Sequence, residues 1–329
     1  MNSIDRRAAL GMAATLAGLA AMPAWARTAT YPAPTREAML PVPGGRVYAR
    51  VSGDLAGPRA PLVIVHGGPG GTHASYLDAL ALADERAVIL YDQLDSGRSD
   101  WPENPANWHV GRFVEELEAV RGGLGIAHWH VCGHSWGGTV ALEYAARRPA
   151  ALRSVVLASP LISTRSWIAD ADALRRSLPA DTQQMLIACD GQAPPAATAC
   201  EAATGSYYAR FNGREPPPAE MRGYARTNGG RGFNRRLYEA MWGRSEFVAT
   251  GTLRHYDGEP LLAQLDGRRT LFMAGQYDEA VPTTLSSFAA RVPGGAEMAV
   301  IPGAAHGTFN DRPEETIGVL RGWMHRHDG

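Results

Sequence analysis

Apolar residues fall along the chain in two alternating rhythms. Pro61-Leu62-Val63-Ile64-Val65-His66, Ala87-Val88-Ile89-Leu90-Tyr91-Asp92, Trp129-His130-Val131-Cys132 and Val155-Val156-Leu157-Ala158-Ser159-Pro160 are short, nearly continuous apolar runs. Such runs mark strands buried on both faces of a parallel sheet. Between them the period lengthens. Ser75 to Ala83 is helical in composition, and Val110, Phe113, Val114, Leu117, Val120 and Leu124 recur at helical spacing, which predicts an amphipathic helix. Thr139 to Arg148 holds good helix formers and stops at Pro149. After a proline-containing arm from Tyr31 to Pro43, Gly45 to Val51 alternates like an early strand. Strand, helix, strand, helix at this spacing predicts an α/β domain: a mostly parallel sheet flanked by helices, with right-handed crossovers.

The rhythm breaks after Pro160. From Leu161 to Tyr256 there are helical patches, Pro216-Pro217-Pro218 and the glycine-rich Asn228-Gly229-Gly230-Arg231-Gly232, but no apolar strand runs. This predicts an inserted helical cap over the carboxyl edge of the sheet. Strands resume at Thr270 to Gly275 and Glu297 to Ile301, and a last helix is expected from about Arg312 to His325. The expected organisation is a core of 27–160 and 257–329 with a cap of 161–256.

Residues 1–26 read as an export signal outside the fold. Arg6-Arg7, the Ala/Gly/Leu-rich run from Ala8 to Ala21 and Ala24-Trp25-Ala26 supply its charged, apolar and small-residue parts. The paired arginines resemble a twin-arginine signal, although Ala9 stands where a bulky apolar residue is usual. Cleavage after Ala26 and a periplasmic location are expected. A retained anchor is the competing reading, and the alanines and glycines make the run a poor one. Export makes cysteine pairing relevant. Of the three cysteines, Cys132 is expected as a buried thiol, and Cys189 and Cys200 flank a Pro/Ala-rich loop that a disulfide would close. With 32 basic and 33 acidic side chains, no global field recruits nucleic acid or a membrane surface. No Cys/His spacing suggests a metal, and no cofactor is expected.

The chemistry centres on Gly133-His134-Ser135-Trp136-Gly137. This G-x-S-x-G stretch lies between a predicted strand and a predicted helix, the context a nucleophile elbow requires. Ser135 is the expected nucleophile. A serine needs a base, and the base an orienting carboxylate. In this architecture they follow in the order Ser, Asp, His, each past a later strand. Asp278, with Glu279 as competitor, follows Leu271 to Tyr277, and His306 follows Val300 to Ala305. His66, His130 and His134 lie before or within the elbow and reach over Ser135 less easily. An oxyanion hole needs fixed N–H donors. Trp136 should give one, and His66-Gly67-Gly68-Pro69-Gly70-Gly71 the other through Gly68, with Gly67 as the alternative. That loop lacks the Gly-Lys-Ser/Thr ending of a phosphate cradle.

His66-Gly67-Gly68-Pro69-Gly70-Gly71, Asp92-Gln93…Ser96-Gly97-Arg98-Ser99, Gly133 to Gly138, Ser245-Glu246-Phe247 and Gly275-Gln276-Tyr277-Asp278-Glu279 together resemble the proline iminopeptidases and related aminopeptidases of the α/β-hydrolase superfamily. The resemblance implies Ser135, Asp278 and His306 as the triad, and Glu246 and Glu279 as ligands of the substrate's free amino terminus. Two departures stand out. Leu94-Asp95 replaces the family's usual Arg-Gly, and the cap offers few matching residues. Tyr207, Tyr208, Tyr224, Phe233 and Trp242 are candidates for lining the pocket or for its core. The expected activity is acyl-enzyme removal of an N-terminal residue, proline or another small or apolar one, from short peptides or amino-acid amides. The competing readings are an esterase or lactonase with the same triad, and a non-catalytic binding protein. A serine in place of a carboxylate at the elbow argues against dehalogenase and epoxide hydrolase chemistry.

Overall fold

A strand apolar on both faces is stable only inside a sheet whose two sides are covered, and the chain supplies both the strands and the covers. The computed structural model describes residues 31–328; the expected export signal lies outside the described residues. Eight strands form one sheet: β1 (Arg36–Val42), β2 (Gly45–Ser52), β3 (Leu62–Val65), β4 (Val88–Tyr91), β5 (Trp129–His134), β6 (Leu152–Ala158), β7 (Thr270–Gly275) and β8 (Glu297–Ile301). Their order is β1-β2-β4-β3-β5-β6-β7-β8. Only β2 runs against the others, pairing antiparallel with β1 and β4.

The period of two sorts the strand residues between the faces. Val63, Val65, Ile89 and Val131 pack with helices α1 (Val110–Leu124) and α2 (Trp136–Ala146). Leu62, Ile64, Val88 and Cys132 pack on the opposite face, under the His73–Asp84 segment and the C-terminal helix Pro313–His325.

Two elements differ from the sequence expectation. The arm before Gly45 contains β1, an edge strand joined to β2 through Pro43-Gly44, with Gly44 at φ +93°. Only Leu40 of β1 is buried, so the strand shows no continuous apolar run, and Pro41 is tolerated because an edge position leaves one side unpaired. The Ser75–Ala83 patch lies in a 3₁₀ stretch, His73–Asp84, kinked at Tyr76.

Between β6 and β7 the chain leaves the sheet through α3 (Thr164–Arg175), α4 (Ala180–Cys189), α5 (Ala197–Phe211), α6 (Ala219–Asn228) and α7 (Arg235–Met241). Ser163 and Asp257 pair at the base of this excursion. A separate small apolar cluster of Ala171, Leu178, Leu186, Ala203, Tyr207 and Phe247 packs within it. Cys189 and Cys200 are disulfide-bonded, and Cys132 is a buried free thiol. Among the described residues no helix is long and apolar enough to cross a membrane. The remaining helices are α8 (Pro282–Ala289), α9 (Thr308–Asp311) and α10 (Pro313–His325).

Candidate active site

Ser135 occupies the turn between β5 and α2 at φ 57° and ψ −122°, a conformation that a non-glycine residue holds only when its surroundings enforce it. The glycines make the enforcement possible. A Cβ on Gly133 would stand 2.1 Å from the Gly137 carbonyl oxygen, and one on Gly137 would stand 2.0 Å from that of Val65. The Ser135 N–H donates to the Ala158 carbonyl at 2.9 Å, tying the elbow to β6.

Asp278 and His306 lie in the turns after β7 and β8. His306 Nδ1 is 2.8 Å from Asp278 Oδ1. The same carboxylate accepts from the Ala280 N–H at 2.8 Å, the Gly275 N–H at 3.0 Å and the Ser159 hydroxyl at 2.5 Å, so its orientation is held from several sides. Burial alone would lower the pKa of His306. Asp278, together with the charges of Glu279 and Glu246, outweighs that and leaves it raised to about 9. Ser135 and His306 line the same cavity. Among the described residues no hydrogen bond joins the Ser135 hydroxyl to the imidazole.

Hydrogen bonding distinguishes the two candidate amides, those of Gly67 and Gly68. The His134 Nε2 faces the His306 main-chain carbonyl at 2.8 Å. A carbonyl only accepts, so Nε2 carries the proton and Nδ1 must accept. It accepts from the Tyr76 hydroxyl at 2.9 Å, and that oxygen accepts from the Gly67 N–H at 3.0 Å. Burial lowers the His134 pKa to about 3, which keeps the ring neutral in this role. Gly67 is therefore occupied. Gly68, at φ +118°, has no acceptor for its N–H among the described residues. Trp136 opens α2, where a helix leaves its first amides unpaired.

A cavity of about 1180 Å³ opens between the elbow and the inserted helices. On its far side Glu246, 7 % exposed, accepts from the Tyr208 and Tyr238 hydroxyls, both at 2.8 Å, and from Trp167 Nε1 at 3.3 Å. These donors are all neutral. Glu279 accepts from Asn212 Nδ2 at 2.6 Å through Oε1. Its buried Oε2 has no partner among the described residues. Burial raises the Glu279 pKa, and Glu246 pushes it the same way.

The candidates do not all meet here. Tyr207, Tyr208, Phe233 and Trp242 line the cavity, although Tyr207 is fully buried in the small cluster of the insertion. Tyr224 lies elsewhere, with its hydroxyl 2.9 Å from His73 Nε2. His130 bonds Ser154 and Asp328 at the opposite end of β5. His66 is buried and accepts the Gln93 N–H through Nε2. Asp95, at the departure from the family pattern, is likewise buried and accepts from Trp108 Nε1 at 2.8 Å and from the Glu103 N–H at 2.7 Å.

Comparison with known proteins gives this arrangement its family. A family model for the alpha/beta hydrolase fold matches residues 60–313. The proline iminopeptidase of Heyndrickxia coagulans is 33% identical over 289 residues, covering 86% of this chain and 96% of its own. The crystal structure of a proline iminopeptidase from Mycobacterium smegmatis superposes with a TM-score of 0.79 at 31% identity, covering 89% of this chain and 99% of that one. The chain belongs to the proline iminopeptidase family of α/β hydrolases. The crystal structure of VinJ is comparably similar, with a TM-score of 0.80 at 31% identity over 89% of this chain and 99% of its own. Membership makes the protein a hydrolase of the aminopeptidase type.

Within this proline iminopeptidase-like site, five participants escaped the sequence reading. Tyr76, Ser159, Trp167, Asn212 and Tyr238 reach the site from positions outside the motifs. A polar aromatic such as Tyr238 in an otherwise undistinguished helix carries no local signal of its partner.

Proposed function

We propose that the protein is an exported aminopeptidase that removes an N-terminal residue, proline or another small apolar one, from short peptides or amino-acid amides through an acyl-enzyme. In this reading Ser135 Oγ attacks the scissile carbonyl while His306 takes its proton. His306 then returns that proton to the leaving amine, and a water molecule releases the acyl group by the same steps in reverse. Asp278 orients the imidazole. The Gly68 and Trp136 N–H groups receive the oxyanion, and the inserted helices act as a cap over the substrate.

The observation that carries the reading is the Glu246–Glu279 pair. Two carboxyl groups buried together, with only neutral donors on Glu246 and, on Glu279, an oxygen without a partner among the described residues, favour a further cation between them beyond the His306 ring at 3.9 Å. A substrate ammonium supplies it, and a substrate lacking the amine does not. The composition of residues 1–26 supports export, and so does the Cys189–Cys200 disulfide, a bond that persists in oxidising compartments.

The test compares prolyl-4-nitroanilide with its N-acetylated form. Acetylation should lower kcat/KM by about 30-fold or more, roughly 2 kcal/mol of transition-state stabilisation. Equal rates, or activity confined to simple esters, would remove both glutamates from the substrate site and favour an esterase.

A further inference from the structure

Glu279 stands between the two halves of the site. Its Oε1 lies 3.9 Å from His306 Nε2, the nitrogen that must receive the Ser135 proton, while Asp278 holds Nδ1 at 2.8 Å. The imidazole is thus flanked by a carboxyl group at each nitrogen. Glu246 adds negative charge from the cap. The neutral His134 ring packs at 4.7 Å from the side of the elbow, and the Trp167 ring at 5.6 Å from α3. No arginine is among these neighbours. A carboxyl group opposite Nε2 favours keeping a proton there, which is the wrong state for a general base.

We infer that Glu279 gates His306. In the empty site it holds the proton on Nε2, and the ammonium of a bound substrate, by pairing with Glu279 and Glu246, lets that proton go. Amine selectivity is then exerted on the chemical step as well as on binding. The inference rests on the amine-binding role proposed above and adds a kinetic consequence to it. The proton count closes. The substrate arrives carrying one positive charge, the imidazolium loses one proton to solvent, and the neutral ring then takes the proton of Ser135 Oγ as the new C–O bond forms. The charges of Asp278, Glu279 and Glu246 raise the His306 pKa, in the direction the gate requires. Burial and Glu246 raise that of Glu279 as well, so the two groups titrate as a coupled pair and the geometry of the 3.9 Å contact carries the inference.

The test uses the purified protein and two matched esters, the 4-nitrophenyl esters of L-proline and of cyclopentanecarboxylic acid, which differ in the ring nitrogen. The kcat of each is followed from neutral to alkaline pH, since kcat reports the groups of the loaded enzyme. Activity needs the neutral ring, so a raised pKa pushes the rising limb to higher pH. The limb for the prolyl ester should lie at least about one pH unit below that for the carbocycle. Glu279→Gln should shift the carbocycle's limb down by about one unit and raise its rate at neutral pH roughly five- to ten-fold, while lowering the rate on the prolyl ester. A fall on the prolyl ester with an unchanged carbocycle profile would overturn the gate and leave Glu279 as an amine ligand. No response with either ester would overturn both. Should Glu279→Gln not fold, the wild-type comparison decides alone, and coincident limbs for the two esters overturn the gate.

Discussion

The sheet core and the helices inserted after β6 are held together in different ways. Every residue of β5 is buried, as is every residue of β7, whereas α4 buries only Leu186 and α6 only Met221. Beside its small apolar cluster and the Trp167, Leu237 and Met241 side chains packed on the main core, the insertion is held by a disulfide, by the Ser245–Asp190 hydrogen bond and by carbonyls at the end of α5. The Phe211 carbonyl accepts from the Glu279 and His306 N–H groups, both at 3.1 Å, and that of Asn212 from Gly307 at 2.7 Å. The proposed chemistry sits on the tightly packed region, and the proposed selectivity is shared between Glu279 on that region and Glu246 on the loosely packed one. The division has a physical basis. A near-attack geometry tolerates little error and needs rigid strand ends, while charge recognition acts over a longer range.

The largest effect should come from the core. Ser135→Ala is expected to lower kcat/KM on prolyl-4-nitroanilide by on the order of 10,000-fold or more, with the thermal melt unchanged. A comparable activity surviving the substitution would move the nucleophile elsewhere. In the cap, replacing Cys189 and Cys200 by alanine removes a bridge across a separation of 11 residues, worth about 3 kcal/mol in the loop-entropy model. Hydrogen exchange should then quicken across 180–211 and stay as it was in β5 and β7. Uniform quickening would mean that the two regions unfold as one.

Glu246→Gln should act on discrimination. It should cost about 2–3 kcal/mol in kcat/KM for prolyl-4-nitroanilide and hardly change the N-acetylated form. An equal loss on both would place Glu246 in the chemistry rather than in amine recognition. The smallest effect belongs to Tyr76→Phe, which leaves the Gly67 N–H and His134 Nδ1 without partners. About 1–1.5 kcal/mol is expected, read as a five- to ten-fold fall in kcat with KM within about two-fold. A change in KM alone would show that the hydroxyl shapes the pocket and not the oxyanion loop.

What the sequence by itself determined is everything written in short-range terms. Continuous apolar runs specified β3 through β6, helical periodicity specified α1, and the elbow glycines required the sharp turn that presents Ser135, because Gly133 and Gly137 have no room for a Cβ. The order Ser135, Asp278, His306 was equally readable, since each residue follows a strand end. Tertiary structure alone decided the rest. β1 became a strand only by lying beside β2. Tyr76 took the Gly67 N–H, while that of Gly68 found no acceptor among the described residues. Trp167, Tyr208 and Tyr238 converged on Glu246 from positions 79, 38 and 8 residues away. Periodicity reports which face of an element is apolar, but not which distant element will cross it. Hydrogen-bond partners of buried polar groups are set at that crossing, because only there does leaving one unmade carry its full desolvation cost.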